Sequence, residues 1–107
     1  MEAYAEITPE ELKTRVEAGD APALLDVREP WEYEICALSG ARLIPMDELA
    51  FRLNELDPER EVVVYCHHGI RSAEVVAWLR AQEIPAVNLR GGIDAWTLRV
   101  DPALRRY

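Results

Sequence analysis

The hydrophobic positions of the chain fall into short runs separated by helical stripes. Strand-like runs at residues 23–27, 42–44, 62–65 and 86–89 predict four β-strands. The run at 62–65 reads Val-Val-Val-Tyr, without polar alternation. Such a continuous β-branched and aromatic run is typical of a central parallel strand that is buried on both faces.

Helical patterns lie between these runs. Thr8, Pro9 and Glu11 form the capping sequence of a helix that ends near Gly19. Further patterns predict a helical turn over 31–35, a helix capped by Asp47 with leucines at 49, 53 and 56, and helices over 72–82 and 93–98. Because strands and helices alternate, we expect an α/β fold with a mainly parallel sheet, as one domain over residues 1–107.

Composition and charge restrict the partners. The 107 residues carry a formal net charge of −8, so the chain lacks the basic surface that nucleic acid requires. An acidic surface also repels anionic membranes, and no apolar stretch approaches the roughly 20 residues of a membrane span. Residues 1–7 show no signal or transit peptide pattern. We therefore expect no nucleic acid, no membrane, and a reducing cytoplasm in which the two cysteines stay free thiols.

The candidate chemistry lies in the loop at residues 66–71, CHHGIR, between the predicted central strand and a helix. Sites in parallel sheets form beyond the carboxyl ends of the strands. Backbone N–H groups in such a loop, the following helix N-terminus and the charge of Arg71 all favour a thiolate at Cys66. Gly69 permits loop conformations that a side chain would obstruct. We predict that Cys66 is a nucleophile in a cradle for an anion or a persulfide.

Several ordered segments resemble the rhodanese family. The loop at 66–71 resembles its active-site loop, LDVREPWEY at 25–33 its N-terminal signature, and GGIDAW at 91–96 its C-terminal signature. LSGA at 38–41 resembles the end of a stretch that often reads Gly-His-Ile-Pro-Gly-Ala, although Cys36, Ala37 and Ser39 replace its first glycine, its histidine and its proline. The resemblance implies a rhodanese-like three-layer fold with helices on both faces of the sheet.

The resemblance also implies a sulfurtransferase reaction. Thiosulfate or a persulfide donor would give sulfur to Cys66, and the Cys66 persulfide would pass it to a thiol, to cyanide or to an acceptor protein. Two covalent half-reactions predict ping-pong kinetics, and no metal or organic cofactor is implied. Asp26 and Arg28 would position the loop. The substrate would be bound by His67, His68, Gly69, Ile70, Arg71 and Ser72.

Three other functions stay open. The chain could be a sulfur-relay module that receives sulfur from a protein donor and delivers it to another protein. A cysteine phosphatase or arsenate reductase ranks lower, because those families place five residues between cysteine and arginine, and four separate Cys66 from Arg71. The third is a non-catalytic binding or regulatory domain, and the presence of Cys66 with Arg71 counts against it, because such domains often lack the cysteine.

Some of the candidate residues also have purely structural interpretations. Arg71 could pair with a carboxylate, and Asp26 could serve an ion pair or a turn. Adjacent histidines rarely point at one metal, and no matching acidic cluster accompanies His67 and His68 in the sequence. Cys36 is expected to pack in the core rather than to react.

Overall fold

The computed structural model describes residues 5–107. Residues 1–4, which make up most of the segment in which no targeting signal is expected, lie outside the described residues. Five strands form one sheet: β1 Glu6–Ile7, β2 Ala23–Asp26, β3 Arg42–Leu43, β4 Val62–Tyr65 and β5 Ala86–Leu89. Their order is β1-β5-β4-β2-β3, and every pair is parallel. The expected α/β fold with a parallel sheet is confirmed.

Four α-helices lie along residues 5–107: α1 Pro9–Glu17, α2 Pro30–Ile35, α3 Ile70–Ala81 and α4 Gly92–Arg99. The first three each connect two strands, and α4 follows β5. The predicted capping box of α1 is present. The backbone N–H of Glu11 donates to Thr8 Oγ1 at 3.1 Å, and the backbone N–H of Thr8 donates to Glu11 Oε1 at 2.8 Å. Both capping bonds satisfy backbone donors that the first turn of a helix leaves without partners.

The central strand β4 divides the core into two layers. All four of its residues are buried, and alternate side chains point to opposite faces of the sheet. Val62 and Val64 pack in a cluster with residues of α3, whereas Val63 and Tyr65 pack in a second cluster with Leu12 of α1 and Ile93 of α4. Helices therefore cover both faces, as the three-layer expectation requires.

The predicted helix capped by Asp47 is wrong. The segment forms two 3₁₀ helices, Met46–Phe51 and Leu53–Glu55. The backbone N–H of Met46 donates to the carbonyl of Val27 at 3.1 Å, which fixes the start of the first one beside the end of β2. Asp47 consequently lies inside the first turn, and Pro45 occupies the cap position.

Strand β1 was not predicted from the sequence. It is two residues long, which is too short for an alternating pattern to register. It is held at the edge of β5, where the backbone N–H groups of Asn88 and Arg90 donate to the carbonyls of Ala5 and Ile7.

The carboxyl ends of all parallel strands meet at one edge of the sheet. The segments after β2, β4 and β5 therefore converge. The candidate residues are Asp26, which ends β2, and residues in the segments after β2 and β4. Among residues 5–107, no helix combines the length and the apolar character that crossing a bilayer demands.

Leu79 tests the packing of α3 on the sheet. Its side chain is fully buried, so Leu79→Ala should lower the free energy of unfolding by about 3 kcal/mol through lost burial and a residual cavity. Leu98→Ala is the matched control, because Leu98 is 58% exposed. This substitution should lower the free energy of unfolding by less than about 1 kcal/mol. Urea unfolding of both variants measures the difference, and equal losses would contradict the described core.

Candidate active site

Cys66 directly follows the central strand β4 and is 1% exposed. Its Sγ accepts hydrogen bonds from the backbone N–H of Gly69 at 3.1 Å, the backbone N–H of Ser72 at 3.4 Å and Ser72 Oγ at 3.3 Å. Ser72 belongs to the first turn of α3, where the helix dipole adds positive potential. Two backbone N–H groups, one hydroxyl and a helix N-terminus thus surround one sulfur atom, an arrangement that stabilises negative charge on it.

Helix α4 anchors the loop through backbone hydrogen bonds. The backbone N–H of Ile93 donates to the carbonyl of Cys66 at 3.0 Å, and that of Asp94 donates to the carbonyl of His67 at 3.1 Å. These bonds hold the carbonyls of two loop residues against the first turn of α4. Gly92 permits this contact, because a Cβ there would lie 2.6 Å from the Cys66 carbonyl oxygen and would also overlap that of His67.

Asn88 supports the loop from strand β5. Its Nδ2 donates to the carbonyl of Gly69 at 3.1 Å, which leaves Oδ1 facing Ser72 Oγ at 2.6 Å. A hydroxyl has one proton, so Ser72 can donate to Asn88 or to Cys66 but not to both at once. Ser72 can therefore accept from a Cys66 thiol and, after a rotation of its hydroxyl, donate to a thiolate.

Arg71 forms an ion pair with Glu32 of α2. Its two terminal nitrogens lie 2.9 and 3.0 Å from the two carboxylate oxygens, and the Glu32 side chain is 4% exposed. Burial raises the pKa of Glu32, but hydrogen bonds from Arg71, the Glu29 backbone and Tyr107 outweigh it and lower the pKa to about 2. The geometry thus matches the structural interpretation of Arg71, in which its guanidinium pairs with a carboxylate.

Asp26 and Arg28 form a second ion pair, and both are fully buried. Arg28 Nε and Nη2 bind the Asp26 carboxylate, Nη2 also binds the carbonyl of Cys36 at 2.7 Å, and Nη1 donates to Tyr107 Oη at 2.8 Å. The ring of Tyr107 in turn stacks on His67 at 3.9 Å. Arg28 is therefore connected to the loop through Tyr107.

His67 and His68 stack on each other, with ring centroids 3.9 Å apart. The sequence shows no matching Cys, Asp or Glu cluster beside them, but the fold places a ligand atom of Asp94 within 4.8 Å of both. Asp94 is nevertheless bound to Arg106 at 2.9 Å, and the two imidazole rings stack with 27° between their planes. Binding a metal at about 2.1 Å from each ligand would require these contacts to rearrange.

The remaining predicted residues line the rim or the core. Gly69 is buried and adopts φ 94°, which favours glycine, whereas the Ile70 side chain is 74% exposed. Cys36 is buried in the second core cluster, where a packing role was expected. Sequence reasoning missed Asn88 and Tyr107, and it quoted Glu32 only within a signature. Each of the three acts through a contact between distant segments, which periodicity does not reveal.

Comparison with known proteins agrees with this geometry. A family model described as Rhodanese-like domain matches residues 8–99. The chain belongs to the rhodanese-like family. A solved rhodanese-like domain protein from Staphylococcus aureus superposes with a TM-score of 0.84 and 35% identity, covering 95% of this chain and 97% of that one.

Two curated relatives show the range of the family. A sulfurtransferase from Allochromatium vinosum is 38% identical over 92 residues, which cover 85% of this chain and 86% of the relative. The probable adenylyltransferase/sulfurtransferase MoeZ from Mycobacterium tuberculosis is 40% identical over 104 residues, which cover 94% of this chain. The rhodanese-like chain spans only about a quarter of the length of MoeZ, 26%.

Gly92→Ala tests the anchoring of the loop by α4. The new Cβ would push the carbonyls of Cys66 and His67 away, so we expect slower alkylation of Cys66 and lower stability. Gly19→Ala is the matched control, because Gly19 also has positive φ but has nothing within 4 Å of an added Cβ. Gly19→Ala should cost about 1 kcal/mol, and Gly92→Ala about 2 kcal/mol more. Equal costs with unchanged alkylation would contradict the anchoring.

Glu32 predicts a pH dependence of stability. Its pKa is lowered from 4.5 to about 2 in the folded chain, so the unfolded chain binds its proton first as the pH falls. The stabilisation by ionised Glu32 is present above about pH 4.5 and is lost between there and pH 2, by up to about 3 kcal/mol. Urea unfolding across this range should show a shallower loss for Glu32→Gln than for the original chain. Parallel curves would refute the role of the carboxylate.

Proposed function

We propose that the protein is a sulfurtransferase that carries sulfane sulfur as a persulfide on Cys66. The observation that carries this proposal is the set of three donors from Gly69 and Ser72 around Sγ at the N-terminus of α3. The same donors can stabilise the Cys66 thiolate that attacks the donor and the Cys66 thiolate that the acceptor later releases from the persulfide. Membership of the rhodanese-like family and the sulfurtransferase relatives support the assignment.

The reaction consists of two displacements at sulfur. The Cys66 thiolate attacks the outer sulfur of a donor, an S–S bond forms to Cys66, and the donor's own S–S bond breaks with its electron pair leaving on the donor fragment. The nucleophilic acceptor then attacks the outer sulfur of the Cys66 persulfide and releases the thiolate. Neither displacement needs a metal ion or an organic group that accepts electrons. The residues of this chain therefore suffice without a cofactor.

The short loop supports sulfur transfer over phosphate chemistry. Four residues separate Cys66 from Arg71, and the guanidinium of Arg71 is engaged by Glu32. A tetrahedral oxyanion would need more room and a free guanidinium fork. We therefore rank the phosphatase and arsenate reductase alternatives below sulfur transfer.

A protein acceptor is the second candidate, as a sulfur-relay module. The identity to part of MoeZ favours it, because that relative combines sulfurtransferase and adenylyltransferase in its name. Ile70 lies beside the loop with its side chain 74% exposed, and an apolar residue there could contact a protein surface. A reducing compartment such as the cytoplasm would keep both buried cysteines as thiols.

Mass spectrometry tests the proposal directly. After treatment with thiosulfate or with a persulfide donor, one additional sulfur atom should appear on the peptide that contains Cys66. Cys66→Ala should abolish the adduct, because it removes the attacking sulfur. Cys36→Ser is the control and should keep it, since Cys36 is buried beside Arg28. An adduct that survives Cys66→Ala, or none with any donor, would refute the proposal.

A further inference from the structure

The cationic groups around Cys66 are paired with carboxylates. Arg28 binds Asp26 at 2.6 Å, Arg71 binds Glu32 at 2.9 Å, and Arg106 binds Asp94 at 2.9 Å. His67 adds little positive charge, because burial and the neighbouring His68 lower its pKa. The described surroundings of the reactive sulfur therefore offer backbone and hydroxyl dipoles, but their guanidinium charges are already neutralised.

Arg71 directly precedes Ser72, whose backbone N–H and hydroxyl contact Cys66 Sγ. The positive field of Arg71 therefore acts beside the sulfur. The pKa of Arg71 is raised mainly by the hydrogen bonds to Glu32 and less by attraction to Cys66. Glu32 cancels this field at close range, because it binds both terminal nitrogens of Arg71 at once. An ion pair of this kind presents a dipole rather than a full charge to an incoming substrate.

Two further hydrogen bonds hold the Glu32 carboxylate in place. Its Oε1 accepts the backbone N–H of Glu29 at 3.0 Å, and its Oε2 accepts the Tyr107 hydroxyl at 2.7 Å. Tyr107 also accepts from Arg28 and stacks on His67. A carboxylate with this many partners cannot easily swing away to release Arg71 for another anion.

Sulfur donors differ in how much they need such a cation. Thiosulfate brings two negative charges to the Cys66 thiolate, so the encounter is repulsive unless a positive group offsets it. A persulfide R–S–SH or R–S–S⁻ brings at most one negative charge at the reacting sulfur. The paired Arg71 therefore penalises thiosulfate more than a persulfide.

We propose that Glu32 is a specificity-determining residue that makes the Cys66 site select persulfide donors over thiosulfate. This inference rests on the proposed sulfurtransferase function and names its donor class. With a persulfide, Cys66–S⁻ and R–S–SH give Cys66–S–SH and R–S⁻. With thiosulfate, Cys66–S⁻ and S–SO₃²⁻ give Cys66–S–S⁻ and SO₃²⁻. Charge and atoms balance in both steps, and the second step brings three negative charges together.

The decisive experiment compares two donors in three proteins. The rate constant for forming the Cys66 persulfide is measured with thiosulfate and with cysteine persulfide, in the original chain, Glu32→Gln and Glu74→Gln. Glu32→Gln should raise the thiosulfate rate constant about tenfold by freeing the charge of Arg71, and should change the cysteine persulfide rate constant less than about twofold. Glu74→Gln removes one exposed carboxylate from the same helix as Arg71 and should leave both unchanged within about twofold.

A measurement on the original chain keeps the test independent of how well Glu32→Gln folds. Salt screens repulsion between like charges, so added salt should speed loading from thiosulfate and affect cysteine persulfide less. Tyr107→Phe keeps the ring on His67 but removes the hydroxyl that holds Glu32, and should raise the thiosulfate rate constant by about twofold.

Two results would overturn the inference while leaving the sulfurtransferase in place. One is an equal rate constant of Cys66 loading for both donors in the original chain. The other is a ratio of the two rate constants that Glu32→Gln does not change. Loading of Cys66 by neither donor is a different result, because it would overturn the proposed function itself.

Discussion

The site depends on the direction of a few peptide groups. The loop after β4 can aim N–H groups at Cys66 Sγ because its carbonyls are bound elsewhere, by the backbone of α4 and by Asn88. These partners lie on β5 and α4, so the loop acquires its shape only when β5 has paired with β4 and α4 has packed on the sheet. A reactive sulfur is thus placed by the fold as a whole rather than by the loop sequence alone.

A second feature of the site is its network of paired charges. Asp26, Arg28, Tyr107, Glu32 and Arg71 form one continuous chain of hydrogen bonds from the end of β2 to the start of α3. Among residues 5–107, no buried side-chain nitrogen or oxygen lacks a partner. Buried charges that are fully satisfied hold their neighbours in one geometry, and the same pairing limits which substrate charges the site accepts.

The sequence predicted the features that depend on local chemistry. Thr8 and Glu11 cap α1 as expected, and the buried run at 62–65 is the central strand. The Asp47 helix failed, because a backbone bond between Met46 and Val27, distant in sequence, decides where that segment starts. At the site, the loop from Cys66 to Ser72 could be identified from residue types and from resemblance to a family. The roles of Asn88, Tyr107 and Glu32 could not, since each arises from a tertiary contact.

The central claim is that backbone N–H groups of the Cys66 loop stabilise negative charge on Cys66 Sγ. Amide proton chemical shifts test it most directly, because they respond to the strength of a hydrogen bond. When the Cys66 thiol is converted to a thiolate, the amide protons of Gly69 and Ser72 should shift downfield. Those of Gly19 and Gly40, where nothing lies within 4 Å of an added Cβ, should stay in place. Unchanged shifts at Gly69 and Ser72 in protein whose Cys66 is ionised would contradict the account.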